Sequence, residues 1–341
     1  MKFSQGKSNW LLTRQNRSDN LGKRKTCFTV TVSKEIVRGL KELQIRIDAA
    51  GIPSSILDET INIATWNIRE FGRRRRREAA IHYIAEILNQ FDLIAITEVR
   101  DNLTDMNRVI EILGPYWRAV FSDFVRDPGG NRERIAYLYD KRAVAFTGLA
   151  AEADAPRKKD RSTGEWLSPI SWWRKPFIAS FRAGNFDFVA IAAHIRWGSG
   201  DEARVTPLQL LADWVDERQK EKHLLDKDII VMGDFNIPST DSALFDAITS
   251  HGLHIPHALR GVHGTNLARN KRYDQILHYP RYTRCFTDKG GVLDYYISDH
   301  KKLFPDLTKT EFTYQLSDHL PLWIQVNTDT SEEWLDQQLN R

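Results

Sequence analysis

Asp234 and Asn236 stand two residues apart where the apolar run 229–232 ends, in the segment Val-Met-Gly-Asp-Phe-Asn over 231–236. A buried strand stopping there points side chains i and i+2 the same way, so a carboxylate and a carboxamide enter one pocket at a sheet edge. An Asp-Phe-Asn turn can equally satisfy its own backbone, and the chemical reading therefore leans on other strand ends. The β-rich run 61–68 leaves Asn67 at its exit, and 91–100 delivers Glu98 with Arg100 on the same side. The run 186–194 delivers His194, and Asp318-His319 immediately precedes the alternating strand 320–326. Strand ends carrying Asn, Glu, His, Asp-x-Asn and Asp-His form a constellation rather than isolated polar residues.

Those residue types suit phosphodiester hydrolysis, which needs neutralised non-bridging oxygens, an activated water and a protonated or metal-bound leaving oxygen. Hard oxygen ligands suit Mg²⁺, with Mn²⁺ or Ca²⁺ as alternatives, and Mg²⁺ usually takes only one or two protein carboxylates. Glu98 is the candidate principal ligand, with Asp318 and Asn67 beside it. Two histidines can divide the proton work if a carboxylate orients each one. Asp234 is a rival for that proton transfer. Ser298-Asp299-His300 repeats the triplet Ser317-Asp318-His319, but it runs into Lys301-Lys302-Leu303-Phe304-Pro305 and is expected to be a surface turn.

In this order, the segments from Asn62 to Val326 resemble the endonuclease/exonuclease/phosphatase superfamily, and within it the DNase I-like branch. The resemblance is carried by Glu98-Val99-Arg100, Arg132-Glu133-Arg134, Arg174-Lys175-Pro176 and Tyr273-Asp274-Gln275-Ile276. Gln275 stands where the branch has arginine. The resemblance implies a DNase I-like four-layered α/β sandwich, two packed mixed β-sheets flanked by helices. It also implies the pairs His194 with Glu133 and His319 with Asp274, and places Arg134 and Arg174 on the flanking backbone of a nucleic-acid substrate.

Residues 1–58 fall outside the resemblance and read as an N-terminal extension. They contain a short strand over 26–32 and a capped amphipathic helix over 33–47, followed by a connector at 49–55. Residues 59–327 form the expected catalytic domain, with a helix at 205–215 that carries Pro207 near its first turn, and 328–341 form a polar tail. The chain has 341 residues, 41% hydrophobic and 11% aromatic, which is enough for one large core. No run approaches a membrane span. The first ten residues lack the apolar core of an export signal, and two cysteines allow at most one disulfide, so a cytoplasmic location is expected.

A net charge of +4 is too small for a bulk polycation, so binding must come from local patches. Arg73, Arg74, Arg75, Arg76 and Arg77 precede an amphipathic helix, where the dipole disfavours each cation by about 0.3–1 kcal/mol. An incoming polyanion would relieve that, and Arg73, Arg74, Arg75 and Arg100 are expected at a phosphate backbone. The basic stretch 157–166 and the tryptophans Trp166, Trp172 and Trp173 fit either nucleic-acid contact or a loop anchored on the core. The expected function is Mg²⁺-dependent phosphodiester hydrolysis by a DNase I-like endonuclease acting on DNA. The alternatives are an abasic-site nuclease, an RNase, a lipid or inositol phosphodiesterase, or a nucleic-acid-binding protein without catalysis.

Overall fold

The computed structural model describes residues 32–339 apart from 127, 169–171, 199 and 280–284. The strand expected at 26–32 therefore lies almost wholly outside the described residues, as does Cys27. In chain order the elements are α1 (Lys34–Ala49), β1 (Thr60–Phe71), α2 (Glu78–Leu88), β2 (Leu93–Arg100), α3 (Thr104–Leu113), β3 (Trp117–Phe121) and β4 (Glu133–Asp140). There follow β5 (Ala145–Glu152), a small hairpin of β6 (Lys158–Lys159) and β7 (Trp166–Leu167), β8 (Phe177–Ala183), β9 (Phe186–His194), α4 (Glu202–Lys220) and β10 (Ile229–Asp234). The chain continues through α5 (Ala243–Thr249), β11 (Asp274–His278), β12 (Phe286–Val292), α6 (Lys309–Gln315), β13 (Leu322–Asn327) and α7 (Ser331–Leu339).

Two mixed sheets result, ordered β12-β13-β1-β2-β4-β3 and β11-β10-β9-β8-β5. Each contains one parallel pair, β1 with β2 and β9 with β10, joined through α2 and α4 respectively. Parallel strands need such a helical crossover, and the chain's near-continuous apolar runs in these four strands are what burial on both faces requires. The pairs face one another, β1 against β10 and β11, and β2 against β9 and β10. Trp66, Ile94, Ile96, Ile191 and Met232 fill the space between and around them with no exposed surface. The flanking helices complete the four-layered α/β sandwich. Among the described residues no helix is long and apolar enough to cross a membrane.

The expected amphipathic helix is α1, N-capped by the Ser33 hydroxyl, which accepts from the Ile36 amide at 3.3 Å. It packs against α2 through Ile36, Leu40, Leu43 and Ile47. Gly39 meets the Tyr83 hydroxyl so closely that a Cβ would lie 1.6 Å from it. Arg46, fully buried, donates to the carbonyls of Tyr295, Tyr296 and Asp299 at 2.7–3.0 Å. That contact ties α1 to the Ser298-Asp299-His300 turn.

Two boundaries differ from the sequence reading. The segment read as a tail continues the sandwich: Thr328 is buried, its amide donates to Glu59, its carbonyl accepts from Asn185, and α7 follows. Helix α4 begins at Glu202, leaving Pro207 inside it. The Asp201 carbonyl accepts from the amides of Arg204 and Val205, which holds the extra turn in place.

Candidate active site

Register aligns one row of polar residues. In the parallel β9–β10 pair His194 lies opposite Asp234, and in the antiparallel β10–β11 pair Asp234 lies opposite Asp274. Gly233 makes this close approach feasible, with φ of +136° and a Cβ position only 2.0 Å from the Ala193 carbonyl oxygen. Asn236 adopts φ of +53°, its amide donates to Asp234 Oδ1 at 2.9 Å, and its Nδ2 donates to the Ile195 carbonyl at 2.7 Å. The Asp-x-Asn motif thus both builds its own turn and fixes the carboxylate.

The other sheet delivers its residues through irregularities. Register shifts between Asn67 and Phe71 on β1 and between Ile96 and Val99 on β2, and Glu70 and Glu98 have φ of +45° and +61°. Strain of this kind in non-glycine residues marks a site held by its surroundings. Glu98 accepts from Asn67 Nδ2 at 2.9 Å and from the Glu70 amide at 2.8 Å. The same Asn67 Nδ2 lies 2.9 Å from Asp234 Oδ2, so one amide ties both sheets together.

The two histidines cross between the sheets in opposite senses. His194 on β9 has Nδ1 at 3.1 Å from Glu133 Oε2, at the start of β4 in the other sheet. His319, just before β13, has Nδ1 at 2.8 Å from Asp274 Oδ2 at the start of β11. Both Nε2 atoms face Asp234 Oδ2, at 3.7 and 3.8 Å. Trp66 Nε1 and the Tyr295 hydroxyl donate to the His319 carbonyl at 2.9 and 2.7 Å, and Ser317 accepts from the His319 amide.

Electrostatics follow from this packing. Burial works against the His319 imidazolium, but the carboxylates of Asp274, Asp234 and Asp318 raise its pKa well above the ordinary histidine value. Burial raises the pKa of Asp234, with the nearby His319 opposing that rise. Glu133 is buried too, which would raise it, yet His194, Arg174 and Arg100 hold it down at about 2.

A cleft of about 400 Å³ opens over these groups, lined among others by Arg69, Glu70, Glu98, Arg100, Arg174, Asp318 and the residues already placed. Among the described residues Asn67 Oδ1 and Glu70 Oε2 are buried without a hydrogen-bond partner. With the carboxylates of Glu98 and half-exposed Asp318, they make a donor set of oxygens alone, which fits a hard divalent cation. Asp234, Asp274 and His319 also offer ligand atoms within 4.8 Å of one another. There, however, Asp274 Oδ2 and His319 Nδ1 already satisfy each other.

The arginines divide. Arg100 lies 3.1 Å from Glu70 and 3.7 Å from Glu133, and Arg174 lies 2.6 Å from Glu133. Arg134 points elsewhere, stacking over Phe124 at 5.2 Å and lining none of the cleft, because its neighbour Glu133 takes the inward position on β4. Of the arginine run, Arg73 pairs with Glu70, Arg74 lies 4.7 Å over the Tyr314 ring, and Arg75 is exposed. Arg76 is not a solvated cation: it is buried against the carbonyls of Arg69, Glu70 and Arg74, and burial lowers its pKa to about 10. Arg77 pairs with Asp306. Gln275 is buried, donates to the Arg272 carbonyl at 2.7 Å and points away from His319.

Sequence reasoning missed Glu70, Arg69 and Ser317. Glu70 follows Asn67 by three residues within the same strand, a spacing that strand alternation would send to the opposite face, so nothing in the sequence pattern marks it. Ser317 is fully buried, donates to the Asn67 carbonyl at 2.6 Å and accepts from the Arg69 amide at 3.2 Å.

Two mixed sheets converging on a polar cleft with two oriented histidines define an α/β-sandwich hydrolase. The chain belongs to the endonuclease/exonuclease/phosphatase family, whose model matches residues 64–319, and members of that family hydrolyse phosphoester bonds with divalent metals. It is 26% identical over 208 residues to deoxyribonuclease-1 of Bos taurus, covering 59% of this chain and 68% of the relative. Among solved structures it is similar to an endonuclease/exonuclease/phosphatase family protein from Bacteroides thetaiotaomicron, with TM-score 0.52, 19% identity, and 79% and 95% of the two chains covered. The human nocturnin catalytic domain with bound sulfate is likewise similar, at TM-score 0.51, 16% identity, and 80% and 96% covered. These two structures share the fold.

Proposed function

We propose that this protein is a metal-dependent endonuclease that hydrolyses phosphodiester bonds in DNA, with Mg²⁺ as the resident ion. The observation that carries the reading is the pair of histidines, each fixed by a carboxylate of the opposite sheet and both facing Asp234 at 3.7–3.8 Å. The similarity to deoxyribonuclease-1 supports DNA as the substrate. Glu98 and Asp318 would hold the cation beside Asn67, where it would supply charge neutralisation on the phosphate oxygens.

The chain's own residues do the rest. Asp234, kept basic enough by burial, takes the proton of the attacking water. His319, kept cationic by Asp274, gives a proton to the leaving oxygen as the phosphorus–oxygen bond breaks. His194, oriented by Glu133, donates to a non-bridging oxygen, and the second Nδ2 hydrogen of Asn236 reaches another. Arg100 and Arg174 contact the flanking phosphates, and Arg73, Arg74 and Arg75 extend that contact along the rim.

Incubation with supercoiled plasmid in Mg²⁺ tests this. Nicking is expected for the wild type, is expected to stop with a chelator, and is expected to fall by about a thousandfold or more in Asp234→Ala. Intact plasmid from folded protein would contradict the reading.

A further inference from the structure

Beside the cleft lies a second cavity of about 360 Å³, bordered by Trp172, Trp173, Arg196, Trp197, Ala203 and Pro207. The two cavities meet at Arg174, His194, Arg196 and Trp197. Trp172 is structural: it is buried and its Nε1 donates to the Pro207 carbonyl at 3.1 Å. Trp173 and Trp197 are not, remaining 51% and 54% exposed. Each carries a guanidinium on its ring, Arg196 at 4.0 Å over Trp173 and Arg204 at 4.3 Å over Trp197. Tyr273, which stands beside His319, meets Trp197 edge-on at 5.6 Å.

We propose that this tryptophan-lined cavity is a nucleobase subsite, which takes an unstacked base of a single-stranded segment whose phosphate lies at His194. This rests on the nucleic-acid reading above and adds a substrate class to it. Here two half-exposed indoles border the cavity that His194 also lines, with cations stacked on their rings. Charge and shape agree on the occupant. Arg174 and Arg196 attract a polyanion to the junction, while each indole, with one face taken by a guanidinium, would offer its other face to stack any base without reading its sequence. The volume is at the lower end of the range of about 300–1,000 Å³ typical of small-ligand pockets, which suits one nucleoside and excludes a paired duplex. A base in a duplex would first have to leave its stack.

The test is binding in a chelator, read by fluorescence anisotropy of an end-labelled strand, with a single-stranded oligodeoxynucleotide and a base-free strand of equal length built from abasic units. The wild type is expected to bind the base-bearing strand more tightly. Trp173→Ala and Trp197→Ala are each expected to weaken that binding by about five- to a hundredfold, with binding of the base-free strand unchanged and Trp197→Phe recovering part of the loss. Equal binding of both strands by the wild type, or tryptophan variants that bind the base-bearing strand like the wild type, would overturn the proposal. Because no cleavage is read, base-dependent binding by a protein that leaves plasmid intact would support the subsite while refuting the endonuclease assignment.

Discussion

In the β9–β10 pair the register runs unbroken to the last residue, so His194 faces Asp234 and the next strand sets Asp274 beside it. In the β1–β2 pair the register breaks short of the end, and Asn67, Glu70 and Glu98 reach the cleft through a shifted ladder and left-handed backbone. Both pairs are built alike, as two parallel strands joined through a helix. They differ in what their ends must do. In the proposed mechanism the regular end would hold His194 and Asp234 at fixed spacing for proton transfer, whereas the irregular end would turn several oxygens toward a cation.

The largest effect is expected from removing the histidines. His319→Ala and His194→Ala are each expected to lower kcat by about a hundred- to ten-thousand-fold, and His319→Ala also to lower the melting temperature, because it leaves the buried Asp274 carboxylate unpaired. Asp274→Asn should cost less alone, and combined with His319→Ala it should add little, because the carboxylate acts through the imidazole. A fully additive double variant would show that Asp274 has an independent role.

Next in size is the register itself. Gly233→Ala would set a methyl 2.0 Å from the Ala193 carbonyl in a backbone conformation that disfavours it. A loss of about 3 kcal/mol or more is expected from the denaturation midpoint, together with a loss of turnover as Asp234 moves. An alanine variant as stable and active as the wild type would mean that the strand end is loose.

The far end of the same sheet offers a smaller, pH-dependent effect. His278, at the end of β11, is buried and packed on His254, which together lower its pKa to about 4. The unfolded chain then binds a proton more readily than the folded one between about pH 6.5 and 4, so the contribution is intact above that window and is lost as pH falls through it. The loss is on the order of 3 kcal/mol by pH 4. His278→Gln should flatten the dependence of unfolding free energy on pH over this range, and an unchanged slope would assign acid sensitivity elsewhere.

The sequence made the regular half of the site the easier one to read. Strand ends such as those at His194 and Asp234 follow from apolar runs and a period of two, and the same logic marks Glu98 and His319. What could not be read was direction at the irregular end. Nothing local to Arg-Glu-Arg says that Glu133 turns inward and Arg134 outward onto Phe124; that depends on β4 pairing with β2. Likewise a run of five arginines shows no sign that Arg76 will be buried by carbonyls of its own loop. Glu70 was hidden because its role comes from a left-handed turn at a register shift, which periodicity does not encode.

The separation between a cation site at the irregular β1–β2 end and the histidine–carboxylate pairs is tested most directly by titrating Mn²⁺ calorimetrically into Glu98→Gln and His319→Ala beside the wild type. Glu98→Gln is expected to lose saturable binding while His319→Ala retains it. Loss of binding in His319→Ala with retention in Glu98→Gln would move the cation to Asp234, Asp274 and His319 and contradict the account.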